Sequence, residues 1–234
     1  MDATSNKFPW VVQIADWRKS LKTLCSGTLI NGHYVLTTGS CVASFKNVPL
    51  NLIVITGTKK RLANEIILHD RYNPASFENN IALLKFLMPF NVIPACLPSE
   101  EISFAGNQSG AVFGWTQKKD LETHGTKSIA NRWGELVRSP VLVTKCGDNQ
   151  VHSTVLCASE RDYSDESKIC KQTTGGGPLI LAKHPRSRFK LIGVSNIGVE
   201  CGDAAEKIIT FADIQKHLAW MKRITKTTCI TCLK

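Results

Sequence analysis

Short apolar and β-branched segments, separated by turn residues, recur along most of the chain. They are Trp10–Ala15, Tyr34–Thr38, Leu50–Thr56, Glu65–His69, Ile81–Phe86, Ala111–Trp115, Pro140–Val143, Pro178–Leu181 and Lys190–Val194. Segments of this length are typical of strands, and their regular spacing is typical of sandwiches and barrels. The pattern therefore predicts an all-β protein.

Only the end of the chain has the periodicity of a helix. Apolar residues recur there at intervals of three and four: Phe211, Ile214, Leu218, Met221 and Ile224. This spacing places them on one face of an α-helix. We therefore expect one amphipathic C-terminal helix over residues 211–226, followed by a cysteine-containing tail at 227–234.

Length and charge narrow the class of protein. A chain of 234 residues can form one large all-β domain or two small ones that share an interface. The formal net charge of +10 favours anionic partners. Charge alone does not choose among sulfated glycans, acidic proteins, nucleic acid and anionic membranes.

Cysteine usage indicates an oxidising compartment. The chain has nine cysteines with no repeated short metal-ligand spacing, which favours disulfides and secretion. The lone Cys229-Ile230-Thr231-Cys232 has no second ligand pair, so we expect no metal and no cofactor.

No apolar stretch reaches the roughly 18 residues of a transmembrane helix. Because residues 1–7 lack the features of a signal peptide, we interpret the sequence as part of a secreted precursor.

The segment from Cys25 to Cys41, CSGTLINGHYVLTTGSC, resembles the first-barrel signature of chymotrypsin-like serine proteases, which ends in Leu-Thr-Ala-Ala-His-Cys. Further similar segments follow in the family's order: Phe8–Trp10, Asn80–Leu84, Pro94–Pro98, Gly114–Trp115, Leu156–Ala158 and Cys170–Pro178. The resemblance implies a single trypsin-like domain over residues 1–234, made of two packed antiparallel six-stranded β-barrels. The implied barrels cover residues 8–113 and 114–210, and the helix follows at 211–226.

The same resemblance implies that the catalytic triad is degenerate. The family's chemistry needs a hydroxyl nucleophile, an imidazole base and a buried carboxylate. The histidine position carries Ser40 and the aspartate position carries Asn80. The segment Cys170–Pro178 is one residue longer than the family's Cys-Gln-Gly-Asp-Ser-Gly-Gly-Pro. Counting back from its proline puts Gly175 at the nucleophile position, and counting forward from its cysteine puts Thr174 there.

The substrate pocket implied by the resemblance is altered as well. Gln172 matches the glycine that donates to the oxyanion, and Lys168 falls near the base of the specificity pocket. Ser195 and Asn196 match the strand that pairs with substrate. We therefore expect a pseudoprotease and not an enzyme, with weak hydrolysis through Thr174 as one alternative.

Family spacing also implies a set of disulfides: Cys25 to Cys41, Cys146 to Cys157 and Cys170 to Cys201. Cys96 is expected to reach either the C-terminal tail or a region upstream of this chain. Because the number of cysteines is odd, one thiol is expected to be free or intermolecular.

A basic cluster gives a second alternative. The residues that could bind an anion together are Lys183, Arg186, Arg188, Lys190, Lys222 and Arg223. They form either a polyanion or microbial-surface site or an ordinary solvated surface.

Inactive homologues of the family act as cofactors, decoys or regulators of extracellular proteolytic cascades in immunity, clotting or venom. The expected partner is a protease, a zymogen or an inhibitor, with sulfated glycans as the other candidate and no nucleic acid.

Overall fold

The computed structural model of the chain describes residues 7–19, 21–98, 108–115, 136–144, 146, 153–160, 174–181, 189–196 and 208–226. Its strands are β1 (Val11–Asp16), β2 (Lys22–Asn31), β3 (Tyr34–Thr37), β4 (Leu52–Thr56), β5 (Lys59–Leu62), β6 (Glu65–Leu68), β7 (Ala82–Lys85), β8 (Gln108–Trp115), β9 (Leu136–Thr144), β10 (Val155–Glu160), β11 (Pro178–Leu181), β12 (Lys190–Ser195) and β13 (Ile208–Asp213). The helices are α1 (Gly39–Val42) and α2 (Ile214–Thr225), and short 3₁₀ turns lie at Ala43–Phe45 and Pro49–Asn51.

The first barrel is a rolled antiparallel sheet with the strand order β5-β4-β1-β2-β3-β7-β6. Its two edge strands are consecutive in the chain, and only Ala63 and Asn64 separate them. Ala63 N–H donates to the carbonyl of Leu52 and Asn64 N–H donates to the carbonyl of Lys85, both at 2.9 Å. The chain therefore bends between β5 and β6, and residues 59–68 form both edges of the sheet. Because the bend divides this segment into two strands, the sheet has seven strands, whereas six were expected.

The second barrel is a closed, six-stranded antiparallel barrel with the order β10-β13-β12-β11-β8-β9. Its longest ladder joins β8 to β9, from Gln108 opposite Val143 to Trp115 opposite Leu136. The prediction of an all-β protein with two barrels and a C-terminal helix is confirmed.

The C-terminal helix begins three residues later than its apolar spacing predicts, so the boundary at residue 211 was wrong. Phe211 belongs to β13, where it pairs with Ser195 of β12. Helix α2 begins at Ile214 because Asp213 is its N-cap, and the Asp213 carboxylate accepts a hydrogen bond from Gln215 N–H at 2.8 Å. The second barrel therefore extends to residue 213, beyond the expected end at 210.

The buried apolar residues form three clusters. One fills the first barrel and one fills the second. The third lies between the barrels and includes Phe8, Ile30 and Leu83 from one side and Phe113 and Trp220 from the other. The rings of Phe8 and Phe113 are 4.5 Å apart. Burial between the barrels makes them one packed unit.

The segment that leaves the first barrel is bonded to both barrels. Ala95 N–H donates to the carbonyl of Leu29 in β2, and Leu191 N–H in β12 donates to the carbonyl of Cys96, both at 2.8 Å. Two adjacent residues of the connection are therefore each attached to a different barrel.

Disulfides join Cys25 to Cys41 and Cys146 to Cys157, which confirms two of the expected pairs. Cys96 is also disulfide-bonded. The remaining cysteines, namely Cys170, Cys201, Cys229 and Cys232, lie outside the described residues.

Among the described helices, none has the length and apolar character that a membrane span requires.

Candidate functional site

Ser40 lies in the first turn of α1, where the resemblance implies a histidine in active enzymes. Its N–H donates to the side-chain oxygen of Asn80 at 2.8 Å, and its hydroxyl donates to Thr38 Oγ1 at 3.3 Å. The disulfide of the adjacent Cys41 fixes the start of this helix to β2. Ser40 thus has a defined position, but an alcohol cannot take up a proton near neutral pH.

Asn80 is buried just before β7, and its amide connects the two barrels. Its Oδ1 accepts from Ser40, while its Nδ2 donates to Asn196 Oδ1 at 3.1 Å. Asn196 Nδ2 in turn donates to Thr210 Oγ1 at 3.2 Å. A carboxylate at residue 80 could not donate to Asn196, since it only accepts hydrogen bonds. These side chains therefore form a neutral chain of hydrogen bonds without a negative charge to stabilise an imidazolium.

Tyr72 covers the start of α1. A Cβ added to Gly39 would lie 3.2 Å from three atoms of the Tyr72 ring, which shows how closely the ring packs on that glycine. Burial raises the pKa of Tyr72, and its hydrogen bond with Ser40 opposes that rise. The phenol therefore stays protonated near neutral pH and would not act as a base there.

The hydroxyl of Thr174 belongs to a closed circuit of hydrogen bonds. Trp115 N–H donates to Ser26 Oγ at 2.8 Å, Ser26 Oγ lies 3.1 Å from Thr174 Oγ1, and Thr174 Oγ1 donates to the carbonyl of Trp115 at 3.2 Å. A hydroxyl has one proton, so Ser26 is the donor to Thr174. Ser26 and Thr174 are both buried. These hydrogen bonds join the second barrel to β2. The hydroxyl proton of Thr174 is already donated to the carbonyl of Trp115.

The glycines after Thr174 are held by backbone pairing. The carbonyl of Gly175 accepts from Ser26 N–H, and Gly176 N–H donates to the carbonyl of Ser195, both at 2.8 Å. Gly177 N–H donates to Ser195 Oγ at 3.0 Å, and Ser195 N–H donates to the carbonyl of Gly177 at 2.8 Å. Ser195 therefore uses its backbone and its hydroxyl to hold this glycine segment.

The histidines that the structure describes are engaged elsewhere. His33 Nδ1 lies 2.8 Å from the carbonyl of Phe86. His69 and His217 pack edge to face with ring centroids 5.2 Å apart, and His217 Nδ1 lies 2.6 Å from the carbonyl of Asp213. Burial lowers the pKa of both His69 and His217. None of these three rings is hydrogen-bonded to Ser40 or to the Thr174 hydroxyl.

The other expected site residues are only partly placed. Lys168, Gln172, Lys183, Arg186 and Arg188 lie outside the described residues. Lys190 is partly buried, Lys222 is exposed, and Arg223 pairs with Asp70 at 2.5 Å. Three members of the expected anion-binding set lie outside the described residues, so that set stays a prediction. In the same part of the chain, no three His, Cys, Asp or Glu side chains form a cluster that could hold a metal ion.

Sequence reasoning missed the residues that complete this site, namely Ser26, Tyr72, Trp115 and Thr210. One signal was available, because Ser26 is a polar residue beside a disulfide cysteine in a strand that is otherwise well buried. A buried hydroxyl needs a partner. The partner, Thr174, is 148 residues away in sequence, so the sequence did not identify it.

Comparison with known proteins places this site in context. Residues 1–221 match the family model described as Trypsin. The chain is 26% identical over 227 residues to serine protease filzig of Drosophila melanogaster, and 29% identical over 220 residues to complement factor I of Mus musculus. These alignments cover 85% and 86% of this chain but only 13% and 34% of the two relatives. The chain is also 25% identical over 254 residues to serine protease SSP1 of Scolopendra subspinipes, covering 99% of this chain and 84% of that protein.

Proposed function

Since this chain belongs to the trypsin family, we propose that it is a pseudoprotease, which has kept the family fold and acts by binding other molecules. Its activity as a binding protein would depend on surfaces of the two barrels and not on peptide hydrolysis.

The observation that carries this proposal is Ser40 in the position of the base, with its N–H held by Asn80. Acyl transfer by this family needs an imidazole that removes the nucleophile's proton and a carboxylate that stabilises the resulting charge. Ser40 cannot remove that proton, and Asn80 cannot stabilise a positive charge. Loss of triad members typically costs on the order of a million-fold in turnover.

We assign Gly175, and not Thr174, to the position of the nucleophile. The carbonyl of Gly175 accepts a hydrogen bond from Ser26 N–H in β2. Gly176 and Gly177 follow it directly in the sequence. Thr174 would make a poor substitute nucleophile, because its proton is directed at the carbonyl of Trp115 and no described imidazole lies beside it.

The disulfides favour an extracellular role. Cys25–Cys41 and Cys146–Cys157 would be unstable in the reducing cytosol, so we propose that the protein is secreted. One relative is named complement factor I. By analogy, we propose that this chain regulates an extracellular proteolytic cascade as a cofactor or decoy, with a protease, zymogen or inhibitor as its partner. The polyanion alternative has weaker support, because Arg223 is already paired with Asp70.

Labelling with a fluorophosphonate probe tests the absence of catalysis. The probe reacts with an activated serine or threonine hydroxyl, so the wild-type protein should give no more label than a heat-denatured sample, beside active trypsin as the positive control. Thr174→Ala is the matched variant. Label on the wild type that disappears in this variant would overturn the proposal.

A further inference from the structure

Three large apolar side chains lie exposed together on the first barrel. Trp17 directly follows β1, Leu50 belongs to the 3₁₀ turn Pro49–Asn51, and Val48 precedes that turn. Their exposed fractions are 49% for Trp17, 54% for Leu50 and 47% for Val48. We call these three residues the Trp17 surface. The indole of Trp17 reaches the backbone of Leu50, and Val48 is two residues from Leu50 in the sequence, so the three belong to one region of the surface. Neighbouring exposed apolar groups are typical of interaction sites.

The Trp17 surface is held in place by its own hydrogen bonds. The indole N–H of Trp17 donates to the carbonyl of Leu50 at 2.7 Å, and the Trp17 backbone N–H donates to the carbonyl of Asn51 at 3.2 Å. Val48 N–H donates to the carbonyl of Phe45 at 2.9 Å. The indole is thus oriented and its only donor is satisfied, so a partner that covers the ring buries apolar area with little loss of side-chain freedom.

Four cationic residues lie near the Trp17 surface, either close to its members in the sequence or in the adjacent β1–β2 ladder. Arg18 and Lys19 follow Trp17, Lys22 lies opposite Asp16 in the β1–β2 ladder, and Lys46 is two residues before Val48. The four basic side chains are exposed, and none forms an ion pair with another described residue. Asp16 is only 4% exposed and accepts from the backbone of Arg18, so it does not present a negative charge to a partner.

We propose that the Trp17 surface binds a peptide segment of another protein that carries both acidic and large apolar side chains. The inference rests on the proposed function, since it names the chemistry of a partner for a protein that acts by binding. An aromatic anchor at the centre with charged residues at the rim is the usual anatomy of a protein interface. Acidic side chains on the segment would complement the four cations.

Two other anionic partners fit the geometry less well. A sulfated glycan would use the cations but would leave the three apolar side chains uncovered. A membrane would be entered by the most exposed apolar side chains, and those of Leu87 and Met88 on another loop are more exposed, at 71% and 65%. Trp17, in contrast, lies half-buried against its turn, which suits a flat contact with a peptide.

A random twelve-residue peptide library displayed on phage provides the test, with selection on the immobilised wild-type protein. Enriched peptides should combine Asp or Glu with Phe, Trp, Leu or Ile. In fluorescence anisotropy, Trp17→Ala should weaken their binding by at least about tenfold, as expected for a central tryptophan. The charge reversal Lys19→Glu should also weaken binding without disturbing the fold, because Lys19 is exposed. Met88→Ala is the matched control for an exposed apolar residue elsewhere and should bind like the wild type.

The outcomes separate this inference from the proposed function. The inference is overturned if no peptide is enriched, if enriched peptides lack acidic residues, or if they bind Trp17→Ala as tightly as the wild type. It is also overturned if heparin fragments or phosphatidylserine vesicles bind in a Trp17-dependent manner and the peptides do not. Fluorophosphonate labelling of the same wild-type sample tests the absence of catalysis independently, so either idea can fail alone.

Discussion

Replacing Thr174 by valine would break the circuit that joins Trp115, Ser26 and Thr174 without changing the shape of the side chain. The Ser26 hydroxyl would lose its acceptor, while the carbonyl of Trp115 would keep the bond from Thr174 N–H at 3.0 Å. A buried donor that has no acceptor lowers the free energy of unfolding by about 1–3 kcal/mol, and a lost hydrogen bond lowers it by about 1 kcal/mol. We expect Thr174→Val to lower the free energy of unfolding by about 2–4 kcal/mol.

A double-mutant cycle then tests the circuit itself. Ser26→Ala alone removes the acceptor of the Trp115 N–H bond and the donor to Thr174. The double variant leaves no stranded Ser26 hydroxyl, so it should be less destabilised than the sum of the single variants by about 1–2 kcal/mol, within the usual range for coupled neighbours.

Denaturant unfolding of the four proteins at one pH gives these free energies by linear extrapolation. Thr174→Ser keeps the hydroxyl and is the control; it should lose only about 1 kcal/mol, the value of one buried methyl group. If the two single effects simply add, or if Thr174→Val is as stable as the wild type, the hydroxyl of Thr174 does not hold the barrels together and its structural role is refuted.

Two further predictions concern a buried histidine and a buried glycine. Because burial lowers the pKa of His217, the unfolded chain binds more protons than the folded one below about pH 6.5, so stability should fall with decreasing pH by up to about 1.4 kcal/mol per pH unit. Unfolding curves between pH 5 and 8 should show a shallower dependence in His217→Gln, and equal slopes would contradict the assignment. Gly176 has φ +84°, and a Cβ there would overlap the carbonyl oxygen of Ser26, so Gly176→Ala should cost more than about 3 kcal/mol. The matched control is Gly57→Ala, where φ is +55° but the space is open; it should cost about 1–2 kcal/mol from backbone strain alone, and equal losses at both positions would argue against the overlap.

Periodicity predicted the fold class but not every strand. The strands β2, β5, β10 and β13 fell outside the predicted apolar segments, and β2 and β5 did so for different reasons. In β2, Ser26 and Thr28 are fully buried, so a polar residue in the sequence does not mean an exposed one. In β5, the sequence Lys59-Lys60-Arg61 shows no apolar alternation, and pairing with β4 alone makes it a strand. Ladder pairing, even between neighbouring strands, is not encoded in the local alternation of apolar residues.

The predicted start of the final helix was wrong because the apolar residues of β13 and of α2 together follow one helical spacing. Phe211 and Ile214 are three residues apart and both buried, but the first faces a barrel and the second begins α2. Asp213 between them was a readable N-cap signal, because Asp at the start of an apolar helical pattern accepts from the helix backbone. Caps locate helix ends more sharply than apolar spacing does.

The candidate site could be located from the sequence, but its internal bonding could not. The family signature identified Ser40 and Asn80, and the structure places both in one hydrogen-bonded chain. The sequence could not decide between Thr174 and Gly175, because an extra residue shifts the count from either end. The hydroxyl of Thr174 gains its role only from Ser26 and Trp115, which come from distant parts of the chain.

Ala95 and Cys96 lie where the chain passes from one barrel to the other, and the backbone torsions between their two hydrogen bonds could turn without breaking either bond. A rotation of one barrel against the other would nevertheless have to open the apolar cluster between the barrels and break the bonds of Ser26 with Trp115 and Thr174. We therefore expect the two barrels to keep a fixed relative orientation. A surface that spans both barrels would then recognise partners by complementary shape and would not close around them.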